Sequence, residues 1–245
     1  MIWLRSMLFN LWFFGLTAVL CVVWLPLAPR GARGALAMAR LWARLVVWGL
    51  RAICGITWQV EGLEHLPREG PALIASMHQS AFDTLIWVLI APRFAYVVKQ
   101  ELMRVPVFGT IMRHAGMIGV DRRGGPGALR TLLRDADRAL AGNRQVVIFP
   151  EGTRVPPGQR ADLLPGVAAL AGRMRLPVIP VLTNSGEHWG RRAFRKQPGV
   201  IRLVLLPPMP ADLKREALLA KLSDAFATPL SAPVDNSVGR APGRL

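Results

Sequence analysis

Gln145-Val-Val-Ile-Phe149-Pro-Glu-Gly-Thr-Arg154 decides the fold of this chain. Val146 to Phe149 is an unbroken apolar run, β-branched and too short for a buried helix, and it halts at a Pro and a Gly. A strand covered on both faces reads this way. Including this one (145–149), seven such runs punctuate the chain, the others at 57–60, 72–77, 94–98, 117–120, 178–182 and 201–205. Helical spacing fills 81–90, 107–115, 127–140 and 166–173, and returns at 211–227. Strands alternating with helices need crossover connections, so the expected fold is α/β: a mostly parallel central sheet flanked by helices.

In such sheets, ligand groups gather beyond the carboxyl ends of the strands. The residues with useful chemistry fall there: His78 after the second run, Lys99 after the third, Arg122 after the fourth and Glu151 after the fifth. His78-Gln-Ser-Ala-Phe-Asp83 offers an imidazole able to take a proton near neutrality and a carboxylate able to fix its tautomer. The spacing does not put both on one helix face. It works with His78 in a loop and Asp83 in a first helical turn, Ser80 serving as N-cap. In Glu151-Gly-Thr-Arg154, Gly152 permits a tight turn and Arg154 can grip phosphate bidentately. Glu151 repels phosphate, so it reads as holding a hydroxyl or orienting a basic group. Lys99 and Arg122 add cations for a phosphate; Arg123 reads as solvent-facing. His65 reads as an ordinary loop residue, His114 as a helix end, and His188, in a loop after a strand, as a further residue that could line the site. No nucleophilic-serine elbow, P-loop or dinucleotide fingerprint occurs. The residues therefore point to direct transfer of an acyl group onto a hydroxyl beside a phosphate. His78 would deprotonate that hydroxyl, and backbone N–H groups near the His78 turn are the expected oxyanion donors.

The net charge of +16 favours anionic surfaces or phosphorylated substrates. Nucleic acid is not expected as a partner, since no zinc-ligand spacing or RNA-reading aromatic signature is present. Cys21 and Cys54 lie in apolar runs and read as small packing groups. Residues 7–27 carry no charge and are long enough to cross a bilayer core. A cleaved signal peptide is the competing reading, weakened by the length of the run and by an Ala-x-Ala lying well beyond it. Next, Arg33, Arg40, Arg44 and Arg51 fall within about 20° of one helix line. This basic stripe on an apolar cylinder suits a helix lying at the lipid interface; a helix packed on the globular part with one solvated face is the other reading. The excess of Arg after the apolar run over Arg5 before it keeps the globular part cytoplasmic. Whether the first helix crosses fully or dips in and returns is left open. The expected organisation is 1–54 as membrane-anchoring helices, 55–227 as the α/β domain and 228–245 as a disordered tail.

His78-Gln-Ser-Ala-Phe-Asp83 resembles the first sequence block of the glycerolipid acyltransferase family. Lys99-Gln-Glu-Leu102, Val105-Pro-Val-Phe-Gly109 and Gly116-Met-Ile-Gly-Val-Asp-Arg122 are similar to its second, Phe149-Pro-Glu-Gly-Thr-Arg154 to its third, and Leu176-Pro-Val-Ile-Pro-Val181 to its fourth. The ordered set is far more specific than its parts. The resemblance implies transfer of a fatty acyl group to the sn-2 hydroxyl of 1-acyl-glycerol-3-phosphate, giving phosphatidic acid. It implies His78 as general base, Asp83 as its partner, and Lys99, Arg122, Glu151, Gly152, Thr153 and Arg154 in substrate binding, with no metal. It implies no cofactor beyond an acyl-coenzyme A or acyl carrier protein thioester as co-substrate. It also implies an N-terminal helix pair embedded in one leaflet, with membrane lipids as partners and the cytoplasmic membrane as location. Met77 stands where the family commonly has Asn, and Val155 where it often has Ser. Either departure leaves room for glycerol 3-phosphate or another lysolipid as acceptor, and a non-catalytic module binding anionic lipid is the reading from another class.

Overall fold

The computed structural model describes residues 1–26, 31–91, 93–121 and 124–230. Its strands are β1 (Ile56–Glu61), β2 (Ala72–Ser76), β3 (Phe94–Lys99), β4 (Ile118–Val120), β5 (Gln145–Ile148), β6 (Val178–Thr183) and β7 (Gly199–Leu205). Its helices are α1 (Ile2–Trp24), α2 (Gly31–Gly49), α3 (Phe82–Ile90), α4 (Phe108–His114), α5 (Gly125–Ala141), α6 (Gly166–Met174), α7 (Ser185–His188) and α8 (Arg215–Ala227). The seven runs read as strands all form strands, and the five helical stretches of the globular part all form helices, each to within a few residues at its ends. Arg122 and Arg123 lie outside the described residues, as does the expected disordered tail beyond Leu230.

One seven-stranded sheet runs β1-β7-β6-β2-β5-β3-β4, parallel throughout except where β6 meets β7. The central strands are buried on both faces, and the period of two sorts their side chains into two layers. Ala72 and Ile74 of β2, Val147 of β5, Ile179 and Val181 of β6, and Phe94 and Tyr96 of β3 enter one core with α1, α2 and α3. Leu73, Ala75, Ala95, Val97, Val146, Ile148 and Val178 enter the other, beneath α5, α6 and α8. The parity continues past the strand ends: Phe149 remains in the first layer.

The N-terminal helices are part of the first layer. α1 is long and apolar enough to cross a membrane. Yet one flank is docked, on the domain near its start and its end and on α2 between. Ser6 Oγ accepts the Lys196 backbone N–H at 2.9 Å, and Asn10 Oδ1 accepts from Lys196 Nζ at 2.9 Å. Phe9 and Phe13 meet the Trp189 ring edge-on, and Trp24 is buried with Ala35, Met38 and Ala115. Trp12 donates to Leu45 O at 3.1 Å and lies so close to Gly49 that a Cβ there would stand 2.5 Å from its ring. α1 turns Leu4, Leu8, Leu11, Phe14, Val19 and Val22 outward, an apolar face at helical spacing. α2 buries Ala35, Met38, Ala43, Val46 and Val47 and exposes Arg33 and Arg44. A π-helical turn, Leu50–Cys54, follows; its exposed Arg51 continues the basic side. The helix is thus packed on the domain and presents Arg33 and Arg44 outward at once, with Arg40 half-buried.

Lys196 is buried, and its ammonium is held by Asn10 Oδ1 and by the carbonyls of Ala193 and Phe194. Asn10→Ala removes one of three acceptors from a buried charge, a loss of about 1–3 kcal/mol. The thermal midpoint of the full chain in detergent should fall by about 2–10 °C, read by differential scanning fluorimetry.

Candidate active site

β2 and β5 are neighbours and parallel, with Ala72 opposite Gln145 and Ala75 opposite Ile148. Their carboxyl ends therefore open side by side, and the two motifs meet. The His78 backbone N–H donates to Glu151 Oε2 at 2.6 Å, and the Val155 N–H donates to His78 O at 2.8 Å. Gly152 makes the turn at φ +66°, in the left-handed region that favours glycine.

The imidazole of His78 lies flat on Phe149, centroids 4.2 Å apart and planes 24° apart. Its Nδ1 is 3.3 Å from Asp83 Oδ2. With the Nδ1 proton toward Asp83, Nε2 keeps a free lone pair, which is the tautomer a general base requires. Asp83 is 1% exposed and His78 13%. The buried carboxylate is held by further donors: the Gln79 and Ser80 backbone N–H groups, both 2.7 Å from Oδ2, and Ser185 Oγ, 2.5 Å from Oδ1. Asp83 stands in the first turn of α3, where the helix dipole favours an anion. The N-cap position is Ala81 and not Ser80, though Ser80 Oγ accepts the Phe82 N–H at 3.1 Å and so caps from one residue earlier. The expectation that this turn supplies oxyanion donors is corrected: the amides of 78, 79 and 80 are already committed to Glu151 and Asp83.

A cavity of about 880 Å³ begins at His78 and passes the Gly152-Thr153-Arg154 turn and Lys99. It continues between the sheet, α3 and α4 on one side and Phe13, Leu20, Met38 and Trp42 of the N-terminal helices on the other. Its mouth is cationic and its depth apolar, the shape of a receptacle for a lipid with an anionic head. Lys99 is exposed, 3.3 Å from Glu101. Glu151 reaches the His78 amide but does not line this cavity. His188 does not line it either; its Nδ1 faces Gln197 O at 3.1 Å and its ring packs on Gly199. His65 closes a short 3-10 turn, and His114 ends α4. Cys21 and Cys54 are both free thiols, Cys21 on the cavity wall.

Sequence reasoning missed three contributors. Ser185 begins α7, a helix too short to give a periodic signal, and reaches back to Asp83 across the sheet. Arg191 and Arg192 line the cavity mouth from the loop after α7. Within a chain this basic, nothing distinguished them.

Residues 57–184 match the acyltransferase family. A 1-acyl-sn-glycerol-3-phosphate acyltransferase of Pseudomonas aeruginosa is 37% identical over 182 residues, 74% of this chain and 70% of the relative. The human 1-acyl-sn-glycerol-3-phosphate acyltransferase alpha is 29% identical over 171 residues, 69% of this chain and 60% of its own length. The crystal structure of the 1-acyl-sn-glycerophosphate acyltransferase of Thermotoga maritima has the same fold. Its TM-score is 0.73 at 21% identity, over 93% of this chain and 95% of that one.

Burial pushes the Glu151 carboxyl up to about 7; the charge of Asp83 adds to this and the His78 N–H opposes it. A folded-state value above the ordinary 4.5 favours the protonated form, so its stabilising effect is complete below 4.5 and is lost as pH rises through about 7. Glu151→Gln cannot ionise and still offers an oxygen to His78. The variant should gain stability over the wild type as pH rises from 4.5 to 7, reaching about 2–3 kcal/mol by pH 8. Chemical denaturation across that range measures it.

Proposed function

This chain belongs to the acyltransferase family, and from that membership we propose that it acylates the sn-2 hydroxyl of 1-acyl-glycerol-3-phosphate to give phosphatidic acid, drawing the acyl group from a coenzyme A or acyl carrier protein thioester. The observation that carries the reading is the shared cavity: an imidazole backed by a buried carboxylate, a cationic mouth and an apolar depth meet in one chamber. The names of its relatives supply the acceptor.

In this mechanism His78 Nε2 takes the proton of the acceptor hydroxyl as the oxygen attacks the thioester carbonyl. Asp83 stabilises the imidazolium that forms, and its three other donors keep it from rotating away. The tetrahedral intermediate then collapses, the thiolate leaves, and the imidazolium returns a proton to it. Stacking on Phe149 confines the ring to one plane, so little orientation is lost on reaching the transition state. Glu151 orients the general base through the His78 amide. Gly152, Thr153 and Arg154 face the acceptor, and Lys99 and Arg122 supply charge for its phosphate. Burial lowers the pKa of Arg154 from its ordinary value, and the charge of Arg191 acts the same way against the opposing pull of Asp83; a bound phosphate would relieve that cost.

The outward apolar face of α1 and the arginines of α2 lie at a membrane surface in this reading, with lipid as the immediate surroundings. The domain faces the cytoplasm from the inner membrane, where a water-soluble thioester can reach the mouth. Because α1 packs on α2 and touches the domain near both its ends, a helix pair set into one leaflet accounts for the contacts better than a helix crossing both.

Purified protein in phospholipid vesicles, given labelled acyl-coenzyme A and a panel of lysolipids plus glycerol 3-phosphate, should label phosphatidic acid from lysophosphatidate fastest. Labelling of another acceptor alone would replace the assignment. His78→Ala should lower turnover by about 10²–10⁴-fold while leaving vesicle binding unchanged; unchanged turnover removes His78 from the chemistry.

A further inference from the structure

We infer that Arg191 and Arg192 close a three-guanidinium cradle with Arg154 around the phosphate monoester of the acceptor, an inference that deepens the proposed function and rests on it. All three side chains line the cavity that holds His78. Arg154 and Arg191 are close enough for the positive charge of one to depress ionisation of the other. Some arginines of this chain find carboxylates, Arg202 with Glu61 at 2.8 Å, Arg173 with Asp137 at 2.7 Å and Arg138 with Asp135 at 2.9 Å, and others find carbonyls or rings, Arg144 at Gly116 O and Arg195 over Trp3. Among the described residues no carboxylate forms an ion pair with Arg154, Arg191 or Arg192. The nearby acids are already engaged, Asp83 by three hydrogen-bond donors and His78, and Glu151 by the His78 amide.

Like charges gathered at the mouth of an apolar chamber repel one another until an anion joins them. A phosphate monoester carries close to two negative charges near neutrality and offers three acceptor oxygens. Guanidinium forks match those oxygens in pairs. The position selects the acceptor over the donor. The turn bearing Arg154 is tied to the His78 loop through Val155 N–H and His78 O at 2.8 Å. In 1-acyl-glycerol-3-phosphate the phosphate sits on the carbon next to the one bearing the reactive hydroxyl. In a phosphopantetheine thioester the phosphate lies a long arm away from the reacting carbonyl.

The chain holds this arm in place. Arg191 and Arg192 are the corners of a tight turn in which the Ala193 N–H donates to Gly190 O at 3.1 Å, and Arg192 has φ +54°, a conformation that ordinary side chains avoid. Four residues on, Lys196 fastens the loop to Ser6 and Asn10 of α1. The helix that meets the lipid therefore also fixes the cationic arm above the chamber.

The test is steady-state kinetics of the full chain in phosphatidylcholine vesicles, with acyl-coenzyme A as donor. Lysophosphatidate is the acceptor, and the matching monoacylglycerol is the phosphate-free probe. The Arg191→Ala, Arg192→Ala double variant should raise KM for lysophosphatidate about ten- to a hundredfold. Donor KM, and turnover of the monoacylglycerol, should stay within about twofold. Arg195→Ala removes the same charge from the same loop outside the cavity, where Arg195 lies 5.8 Å over the Trp3 ring, and should leave all constants in place. An unchanged lysophosphatidate KM, a rise in donor KM instead, or an equal effect of Arg195→Ala overturns the assignment while wild-type activity still supports the proposed reaction. Wild-type protein inactive toward lysophosphatidate overturns both.

Discussion

The side-by-side parallel pairing of β2 with β5 is the constraint on which the rest depends. It brings two loops from distant parts of the sequence to one rim, in a register that sets His78 beside Phe149 and its amide beside Glu151. An antiparallel partner would have sent one of the loops to the opposite edge. The strand parity matters as much. Ile74, Val147 and Phe149 all face the layer under α1, α2 and α3, so the chemistry opens into that layer and not into the one beneath α5 and α8. A one-residue slip in β5 would move Phe149 to the other face and leave the imidazole without its support.

Charge and apolarity are distributed with the same economy. The carboxylates at the centre are buried and hydrogen-bonded, and they tie backbone to side chain where a phosphate could not approach. Arg191 and Arg192 stay exposed at the mouth, where water can solvate them when no ligand is present, while Arg154 is half-buried. Beyond them the wall becomes Leu85, Val88, Phe94 and Ile111, offering nothing but contact area. A molecule with an anionic head and a hydrocarbon tail matches that gradient along its own length.

Much of this was legible in the sequence because the sheet is buried on both faces. Uninterrupted runs such as Val146 to Phe149 have no competing helical reading, and the turn residues after them mark where chemistry can be placed. That logic put His78, Asp83 and Arg154 at one sheet edge, and the structure brings them together there. Other features depend on distances no local pattern encodes. Ser185 lies far along the chain from Asp83, Gln79 reaches Gly186 at 3.0 Å, and Arg191 and Arg192 are two arginines in a chain of net charge +16. The amides near His78 looked free because sequence does not show that Asp83 and Glu151 turn back onto the backbone. The stripe of α2 was clear, but an amphipathic helix does not announce which partner its other face meets.

The placement of Phe13, Leu20, Met38 and Trp42 on the chamber wall has a practical corollary for anyone seeking a detergent-free reagent. Trimming the greasy leader would leave the reaction vessel with one side missing. Solubility would have to be engineered by repainting, with polar side chains at Leu4, Leu11, Phe14, Val19 and Val22, while Phe9, Phe13 and Trp24 are kept as they are.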